Sequence, residues 1–199
     1  MRSTARLAAP AAAAVVVLAL SACGSGDDST HGSMSGTGAS TSPSMSSGMA
    51  TGASGDVQFA QMMIPHHQQA VEMADLALQN DSASADVKAL ATQIKAAQDP
   101  EIQKMKGWLG QWGASESSGP MDHGAGGMMT DEDMSNLMGA NGSEFDRMWL
   151  TMMIAHHQGA VTMAQDVLAT TANADVKELA NAVVEGQNKE IATMQGLLS

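Results

Sequence analysis

Residues Phe59–Ala74 read FAQMMIPHHQQAVEMA, and residues Trp149–Ala164 read WLTMMIAHHQGAVTMA. The two stretches share the frame Met-Met-Ile-x-His-His-Gln-x-Ala-Val-x-Met-Ala at an offset of 90 residues. The offset pairs Met62 with Met152, Met63 with Met153, His66 with His156, His67 with His157 and Met73 with Met163. Four of the chain's six histidines lie in these copies. Self-similarity of this length says that the chain is built from two like units, and it has to be recognised before a fold is assigned.

The likeness continues downstream. Ala85-Asp86-Val87-Lys88 matches Ala174-Asp175-Val176-Lys177 at an offset of 89 residues. Gln98, Glu101, Ile102, Met105, Gly107 and Leu109 match Gln187, Glu190, Ile191, Met194, Gly196 and Leu198. Each unit is therefore a histidine segment, a short polar break and a second segment.

Both segments have helical periodicity. Phe59, Met62, Met63, His66, Ala70, Met73 and Ala77 recur at i, i+3, i+4 and i+7, with Gln61, Gln68, Glu72 and Gln79 on the opposite side. Asp56 and Ser143 are the candidate N-caps of the two histidine helices. An interior proline removes a hydrogen bond, so Pro65 predicts a kinked or late-starting helix in the first copy, where the second has Ala155. The second segment carries the stripe Val87, Leu90, Ala91, Ile94, Gln98, Glu101, Ile102, Met105, Trp108 and Leu109. Its copy is Val176, Leu179, Ala180, Val183, Gln187, Glu190, Ile191, Met194, Leu197 and Leu198, and Pro100 of the first faces Lys189 of the second.

The breaks at Asn80–Ser84 and Thr170–Asn173 are short enough to make each unit an antiparallel hairpin. Two hairpins joined by the long Gly113–Gly142 connection predict an all-α, ferritin-like four-helix bundle. The bundle should span 56–199, as repeat 1 at 56–112, the connection at 113–142 and repeat 2 at 143–199. Asp131–Leu137 could form a short helix within the connection.

The chain begins with Arg2 and Arg6, an apolar run from Leu7 to Leu20, and then Ser21-Ala22-Cys23. A basic start and a short apolar run form a signal peptide at 1–22, and the run is shorter than the roughly 20 residues of a spanning helix. Small residues before a cysteine resemble the lipobox of bacterial lipoproteins, which implies lipidation of Cys23 and an extracytoplasmic protein anchored to the cell membrane. Residues 23–55, rich in Ser, Gly, Thr and Ala, should be a disordered tether, carrying His31, Met34, Met45 and Met49.

Cys23 is the only cysteine, so no disulfide and no thiolate metal site can form within one chain. Removal of 22 residues leaves 177, enough for one domain with a core, and moves the formal charge from −12 to −14 through loss of Arg2 and Arg6. So acidic a chain does not bind nucleic acid by counterion release, and it offers anionic lipid no basic patch. The membrane link should be the lipid alone. The charge does raise the local concentration of cations. The chain has no tyrosine and 18 methionines, far more than a globular chain ordinarily carries. Core packing accounts for methionines on the helical stripes but not for Met121 or Met128-Met129 of the connection, near His123.

On a helix Met62, His66 and Met73 fall within about 40° of one another, and Met63 and His67 form a strip beside them. The same holds for Met152, His156 and Met163, and for Met153 and His157. One histidine on an apolar face is ordinarily a satisfied core residue. Two adjacent histidines flanked by methionines, twice over, need four sets of buried hydrogen-bond partners, and a metal satisfies imidazole nitrogens directly. Imidazole suits copper, zinc, iron and nickel, while thioether is soft and selects Cu(I). His66, His67, His156 and His157 with Met62, Met63, Met73, Met152, Met153 and Met163 therefore read as a copper-binding set, with zinc or iron the lesser alternatives. Glu101 and Glu190 interrupt apolar stripes and are further ligands or partners that orient the imidazoles. A di-iron site would need Glu-x-x-His on two helices, which the chain lacks. No motif sets a serine or cysteine beside a base.

With these residues in view, the chain resembles the bacterial family known as domain of unknown function 305. The family's mark is a Met-Ile-x-His-His-x-x-Ala-x-x-Met-Ala helix, commonly duplicated and met here at His66, His67 and Met73 and again at His156, His157 and Met163. The likeness runs from about Val57 to Leu198 and implies a ferritin-like fold. Some extracytoplasmic members are associated with copper binding and copper resistance. The expected function is an extracytoplasmic copper-binding lipoprotein for sequestration, tolerance or delivery. A metal-dependent oxidase using Glu101 and Glu190, and a metal-free structural or interaction module, are the alternatives.

Overall fold

The computed structural model describes residues 47–116 and 126–199, with side chains from Ser54 onward. The leader, Cys23, His31, Met34, Met45 and Met121–His123 lie outside the described residues, as does the side chain of Met49. The regular elements are five α-helices: α1 Ser47–Gln79, α2 Ala85–Trp112, α3 Asp131–Gly139, α4 Gly142–Leu168 and α5 Ala174–Leu198. No helix among the described residues is long and apolar enough to cross a membrane.

Each helix is held by its apolar stripe. Phe59, Met63, His66, Ala70, Met73 and Ala77 of α1 are buried, while Gln68, Glu72 and Gln79 are exposed. The predicted stripe of α2 is buried from Val87 to Leu109, with only Glu101 partly open. The α5 stripe is buried from Val176 to Met194, with only Glu190 partly open, but Leu197 and Leu198 are exposed at 39% and 40%. They stand in the last turn of the last helix, where no following segment among the described residues covers them.

Short polar breaks turn α1 into α2 and α4 into α5, so each unit is an antiparallel hairpin packed along its length. The hairpins meet chiefly through α1 and α4, with α2 and α5 in a smaller contact. The result is an all-α bundle of two repeated hairpins with a long central connection. Its fifth helix, α3, is the short helix of that connection, opened by a capping box between Thr130 and Asp133. Ser84 caps α2 and Asn173 caps α5, each accepting backbone N–H bonds. Ser84 N–H and Gly142 N–H donate to Asp146 and Ser82, tying the first hairpin turn to the start of α4.

Some local expectations are corrected. Asp56 is not an N-cap: α1 begins nine residues earlier at Ser47, inside the stretch expected to be tether. A helix already nucleated on a core extends cheaply, since each added residue gains a bond for one pair of dihedrals. Asp56 is buried at 6% instead. Ser143 lies inside α4, whose N-cap is Asn141. Of the kinked or late-starting helix expected at Pro65, the late start is not found: α1 runs through the proline, as α2 runs through Pro100. Packing on both sides of each proline outweighs the roughly 3 kcal/mol that an interior proline costs.

The apolar core has two parts. One contains Ala70, Met73, Ala77, Val87, Leu90, Ile94, Phe145, Trp149, Met153, Ile191 and Met194. The other contains Phe59, Met63, Ile64, Ile102, Met105, Trp108, Ala160, Val167, Val176, Leu179 and Val183. In all four long helices the residues between the two parts are polar: His66 and His67, Gln98 and Glu101, His156 and His157, Gln187 and Glu190. A polar layer thus crosses the middle of the bundle.

Candidate metal centre

The layer is assembled by the internal repeat. Antiparallel pairing sets the middle of each histidine helix beside the middle of its partner. His67 Nε2 lies 2.8 Å from Glu101 Oε2 within the first hairpin, and His157 Nε2 lies 2.7 Å from Glu190 Oε2 within the second. The α1–α4 contact brings the halves together at His66 and His156, whose ring centroids are 3.7 Å apart with planes tilted by 39°. All four imidazoles are at most 1% exposed.

Their hydrogen bonding is incomplete. His66 Nε2 lies 2.8 Å from the Gly126 carbonyl, to which it can donate. The Nδ1 atoms of all four histidines have no partner, and neither does His156 Nε2. Gln98 Nε2 and Oε1 and Gln187 Oε1, in the same layer, are also buried without partners. Orphaned buried polar atoms are uncommon and each costs about 1–3 kcal/mol. Burial pushes the His66 imidazole down to about 3, with the neighbouring His67 and His157 adding to the effect. Burial, with the facing His66 next, holds His156 well below its usual value. Both rings are therefore neutral at pH 7, the form in which imidazole binds metal.

The glutamates orient rings: their oxygens fix Nε2 of His67 and His157 and leave Nδ1 facing the interior without a partner. No group of three His, Cys, Asp or Glu among the described residues is arranged to hold a metal ion. A site here would draw on unpartnered imidazole nitrogens and on thioethers. Met63, Met73 and Met153 are fully buried, and Met62, Met152 and Met163 are half-buried. The structure does not gather these six sulfurs at one place. Met62 and Met163 line one pocket, and Met152 lines another with Met148.

One feature was not anticipated from the sequence. The end of the central connection, Gly126–Thr130, straps across the layer. A Cβ on Gly159 would strike the Gly126 carbonyl, and one on Gly127, whose φ is +79°, would strike the Ala155 carbonyl. On the other histidine helix Gln69 exchanges two hydrogen bonds with the Met129 backbone, at 2.7 and 2.8 Å. Gln69 and Gly159 are equivalent in the repeat, so the one position seats the strap by an amide clamp on α1 and by an absent side chain on α4. The break in repetition, Gln-Gln-Ala against Gln-Gly-Ala, was its only sequence signal. Met128 and Met129 belong to the strap, half-buried and buried respectively.

The fold and layer define a class: a duplicated helical-hairpin protein whose core is crossed by paired, buried histidines. Residues 56–198 match the DUF305 family, a domain of unknown function, and the chain belongs to that family. It is similar to a DUF305 fragment from Deinococcus radiodurans, at 33% identity over 72% of this chain and 95% of that one, with a TM-score of 0.67. A DUF305 protein from Streptomyces coelicolor is 34% identical over 72% of this chain and 91% of its own, with a TM-score of 0.68. CopM in its Cu(II)-bound form is 34% identical over 72% of this chain and 95% of its own, with a TM-score of 0.64. Forms of CopM with Cu(I) and with silver are also similar. No curated protein sequence matches the chain.

Proposed function

We propose that this protein binds copper in the histidine layer and sequesters it or hands it on outside the cytoplasm. The observation that carries the reading is the set of five unpartnered imidazole nitrogens, all buried and all on rings that repeat in pairs. His66, His67, His156 and His157 supply the nitrogens, and the soft donors are drawn from Met62, Met63, Met73, Met152, Met153 and Met163, which stand within about two turns of the histidines and not all at one place. Thioether with imidazole, and no thiolate, favours copper over zinc or iron. The copper- and silver-bound forms of the related CopM support that choice. Glu101 and Glu190 act through the rings they hold. An oxidase that used them as ligands would have to draw on the carboxylate oxygens that the histidines leave free.

The location rests on the leader-like first 22 residues and on Cys23 as a lipidated anchor, with residues 23–55 as the tether. The similar Streptomyces coelicolor protein is named as a secreted one.

Metal analysis of protein purified after exposure to copper, zinc and iron tests the function. The expected result is stoichiometric copper, lost in the His66→Ala/His156→Ala double variant, with the loaded wild type melting above the metal-free form. Bound iron with oxygen consumption would favour the oxidase instead. Protein that takes up no metal would leave a structural module.

A further inference from the structure

The two halves repeat in sequence, but the methionines that end their histidine motifs are not equally open: Met73 is buried and Met163 half-buried. Gly55, Gln58, Phe59 and Met62 of α1 and Met163, Asp166 and Thr170 at the end of the second histidine segment line a pocket of about 220 Å³. The repeat places Phe145, Met148, Trp149, Met152, Met73, Leu76 and Asn80 at the equivalent positions. There Phe145, Trp149 and Met73 are buried in one apolar cluster, with Leu76, Met148 and Met152 packed on it. Trp149 Nε1–H also donates to the Met73 carbonyl at 2.8 Å. Two hollows lie at that end: one is lined by Leu76, Asn80 and Phe145 but by neither Met73 nor Met152, and the other by Met148 and Met152, both of α4, but not by Met73. The same motif methionine is thus sealed as Met73 and half-buried as Met163.

The pocket's two methionines lie close to the layer. Met62 stands one helical turn before His66. The Met163 sulfur lies 3.9 Å from where a Cβ on Gly126 would be, and the Gly126 carbonyl holds His66. At its mouth Asp166 and Gln58 are exposed.

The geometry points to this pocket as the portal through which a soft monovalent cation, of the Cu(I) or Ag(I) kind, is captured by Met62 and Met163 and passed to the histidine layer. The inference rests on the proposed function, and it adds a direction: ions load from the Met163 end and not from the plugged Met73 end. Two half-open thioethers from different helices form a soft, weak docking point, suited to an ion that must move on. The Asp166 carboxylate, in a strongly acidic chain, draws cations to the mouth. The plug opposite is made of ordinary large apolar residues, so the asymmetry lies in four or five side chains and not in the backbone.

The test copies the plug into the portal. A Cβ on Gly55 meets only Thr170 Oγ1, at 3.9 Å, so a side chain there has room. Gly55→Phe/Gln58→Met installs the residues of the second half. Asp166→Asn is a second, surface variant that leaves the packing untouched. Loading of the full chain is followed with Ag(I), and with Cu(I) released from a coloured chelator, reading rate and final stoichiometry separately. The plugged variant should load about tenfold more slowly, and Asp166→Asn about threefold more slowly at low salt, both to the wild-type stoichiometry. Wild-type loading rates in both variants, with circular dichroism showing an intact fold, would overturn the portal while leaving copper binding standing. If the plugged variant does not fold, Asp166→Asn decides alone. Wild-type protein that takes up no ion overturns the proposed function and the portal with it.

Discussion

His156 has neither ring nitrogen engaged, although it is fully buried. Three other imidazoles surround it electrostatically, and each disfavours its protonation. Its neighbour His66 shows what this means for stability. Folded, His66 titrates near 3, against 6.5 for an unperturbed ring, so between these pH values the unfolded chain binds a proton that the folded chain does not. The contribution is fully present above pH 6.5 and declines as pH falls toward 3, by up to about 1.4 kcal/mol per pH unit for the one group. The urea midpoint of metal-free protein should therefore drop between pH 7 and pH 5, and His66→Gln should flatten that slope. An equal slope in wild type and variant would mean that the ring is solvated or already charged. The histidines and glutamates of the layer were legible as residues, because each breaks an apolar stripe twice at one spacing. Their partners were not: nothing in the chain's order says that His67 takes Glu101 while His66 takes a backbone carbonyl.

At the scale of elements, the helices follow from periodicity, and the short hairpin turns follow from the breaks between stripes. Helix ends were less legible. Asp56 lies inside α1 and not at its start, because propagation from a packed helix overrides a polar cap signal. The strap left only the break at Gln69 and Gly159 as a signal, since Gly126 and Gly127 matter for what their backbone approaches. Gly159 gives it a direct test. In Gly159→Ala the new Cβ collides with the Gly126 carbonyl, and the strap must lift or α4 must shift. The variant should lose about 1–3 kcal/mol in thermal or urea unfolding, and the Met129 amide should exchange faster. Unfolding and exchange like those of wild type would show that the strap is not seated on α4 in solution.

At the scale of the whole molecule, the polar layer divides one bundle into two apolar halves, each drawing on all four long helices. A wholly apolar middle would pack at lower cost, so several orphaned nitrogens and amides there are retained at the expense of stability. That expense is recovered if an ion occupies the layer, which is why metal binding and folding should be linked in this protein. Anchoring belongs to the same scale. With Cys23 as the lipid attachment, Cys23→Ser should move the protein from the membrane fraction to the soluble fraction of cells without changing its helical signal. A variant still sedimenting with membranes would mean that another part of the chain holds it there.

The order of residues alone determined that this chain is helical, that it is duplicated, and that paired histidines and methionines lie on the faces that must be buried. Those properties are local: they depend on a period of 3.6 and on a repeat, and both can be read along a line. Only the tertiary structure decided which nitrogens are satisfied, that a glycine strap crosses the histidines, and that of two equivalent methionines Met73 is sealed while Met163 is half-buried. These depend on segments far apart along the chain, such as His67 with Glu101 and His66 with Gly126, where a side chain's size is felt by a backbone that its own neighbourhood does not encode.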